Sequence, residues 1–387
     1  MARSPAGTPL PGADLRLDAA LAAQPLTELV IPSALDLDQT APLRGVWTGG
    51  GQVLIAGRDA VAGLPVLAVL RAGHGRRVWT GELGRSLLRV DPSAPAAQLA
   101  ALPGGQALAL ITDGPLLAVA AMAKAVRPVP QPRPVALLAD PGLPAPGLSG
   151  ALAVLRSKSG RITLARVPEG AHPETTGWDL RQAERRPGPK LDAGQTPSLA
   201  AHDAAGQLLL GVDDGARGFQ LWRDDGDGWT PIAVPGAARH GMNAALLAAL
   251  RWNGALMLAA GRGARARAGV PGLLVSGEVL RLDEAADGDL SILTGELRTG
   301  PKRLMVPALP ASHPLMLGRI AAELDFTGLG VWEDALVLHL HDARRGTDRL
   351  YRLNPDFSGR FLRTALPLAA LVAGPEGPIA LTWGAQA

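Results

Sequence analysis

The stretch Leu199-Ala-Ala-His-Asp-Ala-Ala-Gly-Gln-Leu-Leu-Leu-Gly-Val-Asp-Asp214, continued by Phe219-Gln-Leu-Trp-Arg-Asp-Asp-Gly-Asp-Gly-Trp-Thr-Pro-Ile-Ala-Val234, decides how the chain is read. Each apolar run is short and ends on Gly or Asp: Asp203 to Gly206, Asp213-Asp214-Gly215, Asp224-Asp225-Gly226. Such residues supply turns because Gly accepts positive φ and Asp bonds its own backbone. Phe219 to Arg223 alternates with period two, the mark of a strand with unlike faces. Leu199 to Val234 therefore predicts four strands in 36 residues.

The second of these strands recurs. Gly51-Gln-Val-Leu-Ile-Ala-Gly57, Gly105-Gln-Ala-Leu-Ala-Leu-Ile111, Gly150-Ala-Leu-Ala-Val-Leu155, Gly206-Gln-Leu-Leu-Leu-Gly211, Gly254-Ala-Leu-Met-Leu-Ala259 and Asp334-Ala-Leu-Val-Leu-His339 share one form, and Gly377-Pro-Ile-Ala-Leu-Thr-Trp383 is a weaker seventh copy. Their starts lie 54, 45, 56, 48, 80 and 43 residues apart. A period of roughly 40–50 residues fits one four-stranded blade of a β-propeller. The long interval calls for an insertion, which Glu296 to Ile320 supplies. The expectation is an all-β chain forming a single β-propeller of six or seven four-stranded blades.

Three units, from Ser198 to Thr364, carry the clearest layout. Asn243-Ala-Ala-Leu-Leu-Ala-Ala-Leu-Arg-Trp252 is rich in helix formers, but its place in the repeat assigns it as a strand. Towards the N-terminus, Leu43 to Gly57 with Pro65 to Trp79 make a blade, Leu116 to Val126 reads as a helix, and Pro128 to Pro146 reads as Pro-rich loop. Residues 1–40 form an N-terminal segment with a closing strand at Leu26 to Ile31, set beside Ile379 to Trp383; residues 41–387 form the propeller.

Composition narrows the function classes. Of 387 residues, 47% are hydrophobic and 19% charged, enough apolar surface for a packed core. The net charge of +3 is a small surplus, and only Lys124, Lys158, Lys190 and Lys302 are lysines. No clustered basic face marks nucleic acid as a partner. The absence of cysteine excludes disulfides, thiol catalysis and thiolate metal sites. No apolar leader opens the chain, and its longest apolar stretch, Ala107 to Val126, is broken by Asp113-Gly114-Pro115. The expected location is cytoplasmic, without membrane insertion.

Leu221-Trp-Arg-Asp-Asp-Gly-Asp-Gly-Trp229 resembles the Asp-box of sialidase-like and related propellers. Asp224, Gly226 and Trp229 match, and Trp222 stands where a Ser or Thr is usual. The wider stretch Ser198 to Asp342, with Leu221-Trp222-Arg223, Asn253-Gly254 and Val279-Leu280-Arg281, resembles Asp-box-like bacterial β-propellers. The resemblance implies architecture and carries no activity. Sialidase chemistry needs an arginine cluster with a Tyr and Glu pair, and the single tyrosine, Tyr351, falls in a blade strand.

The sharpest chemical signal is His339-Leu-His341-Asp342. Alternate residues on a strand share a face, so the two imidazoles converge and, with Asp342 or a distant histidine, make a candidate divalent-metal site. The plainer reading is a pair of strand-edge histidines with Asp342 opening a turn. His202-Asp203, His240 and His313 fall at blade ends or in loops; neighbours on a strand face opposite ways, so Asp203 does not orient His202 as a general base. Gly261-Arg-Gly-Ala-Arg-Ala-Arg267 has neither the following helix nor the Gly-Lys-Ser/Thr end of a phosphate loop. Arg262, Arg265 and Arg267, with Arg344 and Arg345, are instead candidates for contact with an anion or an acidic partner. No Gly-x-Ser-x-Gly elbow occurs. Aromatic content of 3% argues against stacking platforms for glycans or single strands, and Trp47, Trp79, Trp222, Trp252 and Trp332 are assigned to the core.

These features predict a non-catalytic propeller acting as a protein-interaction or scaffold module. The alternative is a metal-dependent hydrolase or lyase with its site in the propeller channel. No cofactor is expected beyond a divalent metal.

Overall fold

The computed structural model describes residues 26–82, 95–102, 104–121, 125–130, 132–140, 150–167, 180–214, 219–232, 243–262, 278–283, 289–292, 297–299, 303–305, 324–342 and 346–385. Among them there is no α-helix, only the 3-10 turns Ser33–Leu35 and Leu180–Gln182, and no helix long and apolar enough to cross a membrane. Six sheets have four strands in simple antiparallel order, and a seventh has three. The first strands of these sheets, Arg44–Gly49, Ala97–Leu102, Ala136–Asp140, Gln195–His202, Asn243–Trp252, Leu324–Trp332 and Leu368–Gly374, each touch the next, and the last touches the first. That closed ring is a seven-bladed β-propeller, with blades numbered one to seven in that order.

All seven copies of the recurring motif are second strands of their blades, from Gln52–Arg58 to Gly377–Trp383. Their runs are continuously apolar because both faces of each strand are buried. Every interface between neighbouring blades holds its own apolar cluster. In Ala335–Asp342, for example, Leu336, Leu338 and Leu340 pack towards blade five, whereas Val337 packs towards blade seven. A strand covered on both sides has little tolerance for polar substitution, so its signature survives where outer strands vary.

The ring closes through both ends of the chain. Thr27–Ile31 runs parallel to Gly377–Trp383 in the register Thr27↔Ile379 to Ile31↔Trp383, giving the order N-terminal strand, second strand, inner strand. Glycines on both neighbouring blades make room for this narrow wedge. A Cβ on Gly45 would stand 2.8 Å from Val372, and one on Gly330 would stand 2.7 Å from Pro378.

Polar staples cross between blades where inner-strand amides lack a ladder partner. Gln98 Oε1 accepts from Leu137 N–H at 2.7 Å, and Asp213 Oδ1 accepts from Leu246 N–H at 2.9 Å. Arg156 donates to the carbonyls of Gln195 and Asp192, and Trp252 Nε1 donates to Asp334 O.

Several expectations need correction. Leu116 to Val126 contains the strands Leu116–Ala120 and Ala125–Pro128 in place of a helix. Its first strand is wholly buried between blades one and three, and packing overrides the helix propensity of Leu and Ala. The Pro-rich stretch after Pro128 contains the inner strand Ala136–Asp140. Asn243–Trp252 is a strand, as the repeat required. The long interval between copies five and six holds an extra hairpin, Leu297–Thr299 with Arg303–Met305. Trp252 is buried, but Trp47, Trp79, Trp222 and Trp332 are only partly so.

Candidate functional site

His339 and His341 lie on the second strand of blade six, Ala335–Asp342, and not on the ring's innermost strand. Their side chains share the face of Val337, turned towards blade seven, so the pair lies between blades instead of lining the channel. Gly328 opposes His339 in the register, immediately after a one-residue bulge at Thr327. Having no side chain, Gly328 leaves the ring its space: an added Cβ would come within 3.3 Å of His339 Cβ and 3.6 Å of Leu371 Cβ.

The residue that joins the two histidines is Asp348, from the adjacent strand Thr347–Leu353, directly opposite His341. Its Oδ1 lies 2.9 Å from His339 Nε2 and 3.3 Å from His341 Nδ1. For one oxygen to accept from both, His339 carries a proton on Nε2 and His341 on Nδ1. Burial pushes the Asp348 carboxyl up, but the hydrogen bonds from His339 and His341 and their charges outweigh it and hold the carboxyl below its ordinary value. His339 is 5% exposed, whereas the His341 side chain is 37% exposed at the strand end.

Asp342 does not join them. It follows His341, faces the other way, is fully buried, and has Oδ2 3.9 Å from an Arg349 nitrogen. Among the described residues no group of three or more His, Asp or Glu side chains stands where it could hold a metal ion. Sequence reading missed Asp348 because its partnership depends on the register between Ala335–Asp342 and Thr347–Leu353, which no short motif encodes.

The other candidates divide in two. Arg262 ends the second strand of blade five, opposite Asn243; its side chain, and Arg265, Arg267, Arg344, Arg345, His240 and His313 entirely, lie outside the described residues. His202 ends an inner strand, where its carbonyl accepts from Arg251 at 3.0 Å. Asp203 caps its own turn by accepting from Gln207 N–H at 2.8 Å, so the two form no acid–base dyad. Tyr351 is fully buried edge-on to Phe361 at 5.0 Å, and burial pushes its phenol up to about 12. It stays neutral in the core and is no nucleophile.

The turn after blade four's third strand has defined geometry. Asp224 Oδ1 accepts from Gly226 N–H at 2.9 Å, Gly226 takes φ +88°, and Asp224 Oδ2 meets Arg186 at 2.8 Å. Trp229 donates from Nε1 to Pro187 O in blade three at 2.9 Å. These contacts link the outer strand of blade three to the outer hairpin of blade four.

No protein-family profile and no curated protein matches the chain. Solved structures of β-propeller-like proteins do. The extracellular domain of the putative hybrid two-component system BT3049 from B. thetaiotaomicron is similar at TM-score 0.50 and 8% identity, over 90% of this chain and 39% of that one. The SapL1 lectin in complex with alpha methyl fucoside is similar at TM-score 0.45 and 10% identity, over 86% and 98%. A prolyl endopeptidase is similar at TM-score 0.45 and 10% identity, over 88% and 46%. The chain thus spans less than half the length of that extracellular domain and of the endopeptidase. These likenesses show the fold alone.

Proposed function

We propose that the chain is a non-catalytic propeller that binds a protein partner and scaffolds a complex. The observation that carries this reading is the use made of the most reactive side chains: His339, His341 and Asp348 bond one another between blades six and seven, and Tyr351 is sealed in the core. A ring closed by pairing of its own ends offers a rigid platform, and rigid platforms with variable rim loops suit partner binding. Size-exclusion chromatography with light scattering on chain recovered from its own cells tests the reading. A stoichiometric heteromeric complex is expected; a solitary chain that turns over a substrate overturns it.

One observation favours a second reading, a metal-dependent hydrolase or lyase. Two imidazoles meet a single carboxylate oxygen on one strand face, the donor types a divalent transition metal takes. The site would then lie between blades six and seven, where a metal would have to displace the hydrogen bonds that now join His339 and His341 to Asp348. Elemental analysis and zinc titration decide it: bound metal lost in His339→Ala/His341→Ala supports this reading, and metal-free protein with no zinc uptake removes it.

A further inference from the structure

We propose that the outer edge of Thr27–Ile31, together with the flank of blade six beside it, is a docking groove for an extended acidic peptide of a protein partner. The inference rests on the interaction-module reading and names the surface and chemistry of that interaction. Among the described residues the seventh sheet ends at this strand, whereas the other six sheets each have a fourth. Among the described residues blade seven is therefore one strand short between two full neighbours. No backbone hydrogen bond from the strand's outer edge to another described residue occurs besides the end contact of Ile31 O with Gly384.

Alternation sorts the strand's side chains. Leu29 and Ile31 are buried against blade one, while Glu28 and Val30 face blade six. Thr27 is exposed, and so is Val30, at 39%. Glu28 is already engaged, its carboxylate accepting from Ala365 N–H at 2.9 Å, which ties the segment after blade six's outer strand to this edge. On that outer strand, Gly359–Leu362, Leu362 packs into the cluster between blades six and seven. Arg360 lies on the same face by alternation, and Arg363 follows, exposed. Neither arginine has an ion-pair partner among the described residues.

The edge thus offers backbone donors and acceptors and the exposed apolar Val30, and blade six's outer strand beside it adds the partly buried Leu362 and two arginines. Strand addition obtains affinity from main-chain bonds and specificity from alternate side-chain positions. A peptide alternating β-branched and acidic residues matches both. No lysine, arginine or proline guards Thr27–Ile31 against such pairing.

The test is fluorescence anisotropy on the full chain with a labelled peptide of about ten residues alternating valine and glutamate. Two comparison peptides carry lysine for glutamate, or a central proline that cannot donate to the ladder. Saturable binding of the acidic peptide is expected, weakened about tenfold or more by Arg360→Glu/Arg363→Glu and by about 0.5 M salt. Amide exchange at Thr27 to Ile31 is expected to slow when the peptide is added. Equal binding of all three peptides, or no effect of the double variant, overturns the proposal. So do edge amides fully protected without peptide, which means pairing within the chain, and a homodimer held by this edge, which makes a second copy the occupant. A native partner complex that forms equally with the Arg360→Glu/Arg363→Glu chain removes the groove while leaving the interaction-module reading intact.

Discussion

Asp348 stands directly across the ladder from His341 and yet makes its shorter bond, 2.9 Å, to His339, two residues earlier on the same strand. One carboxylate therefore fixes two imidazoles at the seam between blade six and the closing blade. Asp348→Asn keeps the shape but halves the acceptor capacity and removes the charge, so we expect a loss of about 1–3 kcal/mol in urea unfolding at neutral pH.

The same group sets an acid dependence. Its folded pKa lies below the unfolded value, so its contribution is complete above the unfolded carboxylate range, about pH 4, and disappears as pH falls through the lowered folded value. Between about pH 5 and pH 2 the wild-type chain is expected to lose stability more steeply than Asp348→Asn, as measured by denaturant midpoints at each pH. Parallel curves would show that Asp348 is not held as described.

Closure by the two ends is open to a cross-link, because the chain contains no cysteine of its own. Val30 and Thr382 are register partners. Val30→Cys/Thr382→Cys is expected to form an intramolecular disulfide on mild oxidation, read as a mobility shift reversed by reductant, since partners in adjacent strands lie within bridging range. Val30→Cys paired with a cysteine at exposed Thr230 is the control and stays open.

Gly330 admits the closing blade. Its added Cβ would meet Pro378 Cβ at 2.7 Å and Cγ at 3.1 Å, both in a ring that cannot swing aside. Gly330→Val is expected to cost about 1–3 kcal/mol by overpacking, with a lower Tm and faster amide exchange in Gly377–Trp383. Gly228→Ala, in open space and outside the positive-φ region, controls for general effects of replacing glycine.

Asp224 tests the turn between the outer strands of blade four. Asp224→Ala removes the acceptor of Gly226 N–H and the partner of Arg186, and a loss of about 1–2 kcal/mol is expected. Asp224→Asn, which keeps a carbonyl oxygen for Gly226, is expected to recover part of that loss.

Architecture was legible in the sequence wherever both faces of a strand are covered. Gly206 to Gly211 and its six counterparts mark the seven second strands because burial between blades leaves those positions only apolar choices. Leu116 to Val126 misled for a related reason: Leu and Ala fill a doubly buried strand as readily as a helix, and only the neighbouring blades decide. The closure of Leu26 to Ile31 beside Ile379 to Trp383 was visible as a pair of apolar runs at opposite ends of the chain, whereas its parallel direction and the Leu29↔Leu381 register came from the structure. At the candidate site the His339 and His341 pairing followed from strand period, but Asp342 and Asp348 exchanged roles. That exchange depends on where the hairpin turns, and an offset of one residue reverses every side chain's face.

The central claim is that this closed ring works by holding a partner. Mass measurement of tagged full-length chain purified under native conditions from its own cells, beside the Arg360→Glu/Arg363→Glu variant, tests it most directly. The account predicts a complex of fixed stoichiometry whose second component also recovers this chain when it is tagged instead. A monodisperse single chain, with substrate turnover abolished by His339→Ala/His341→Ala, would contradict it.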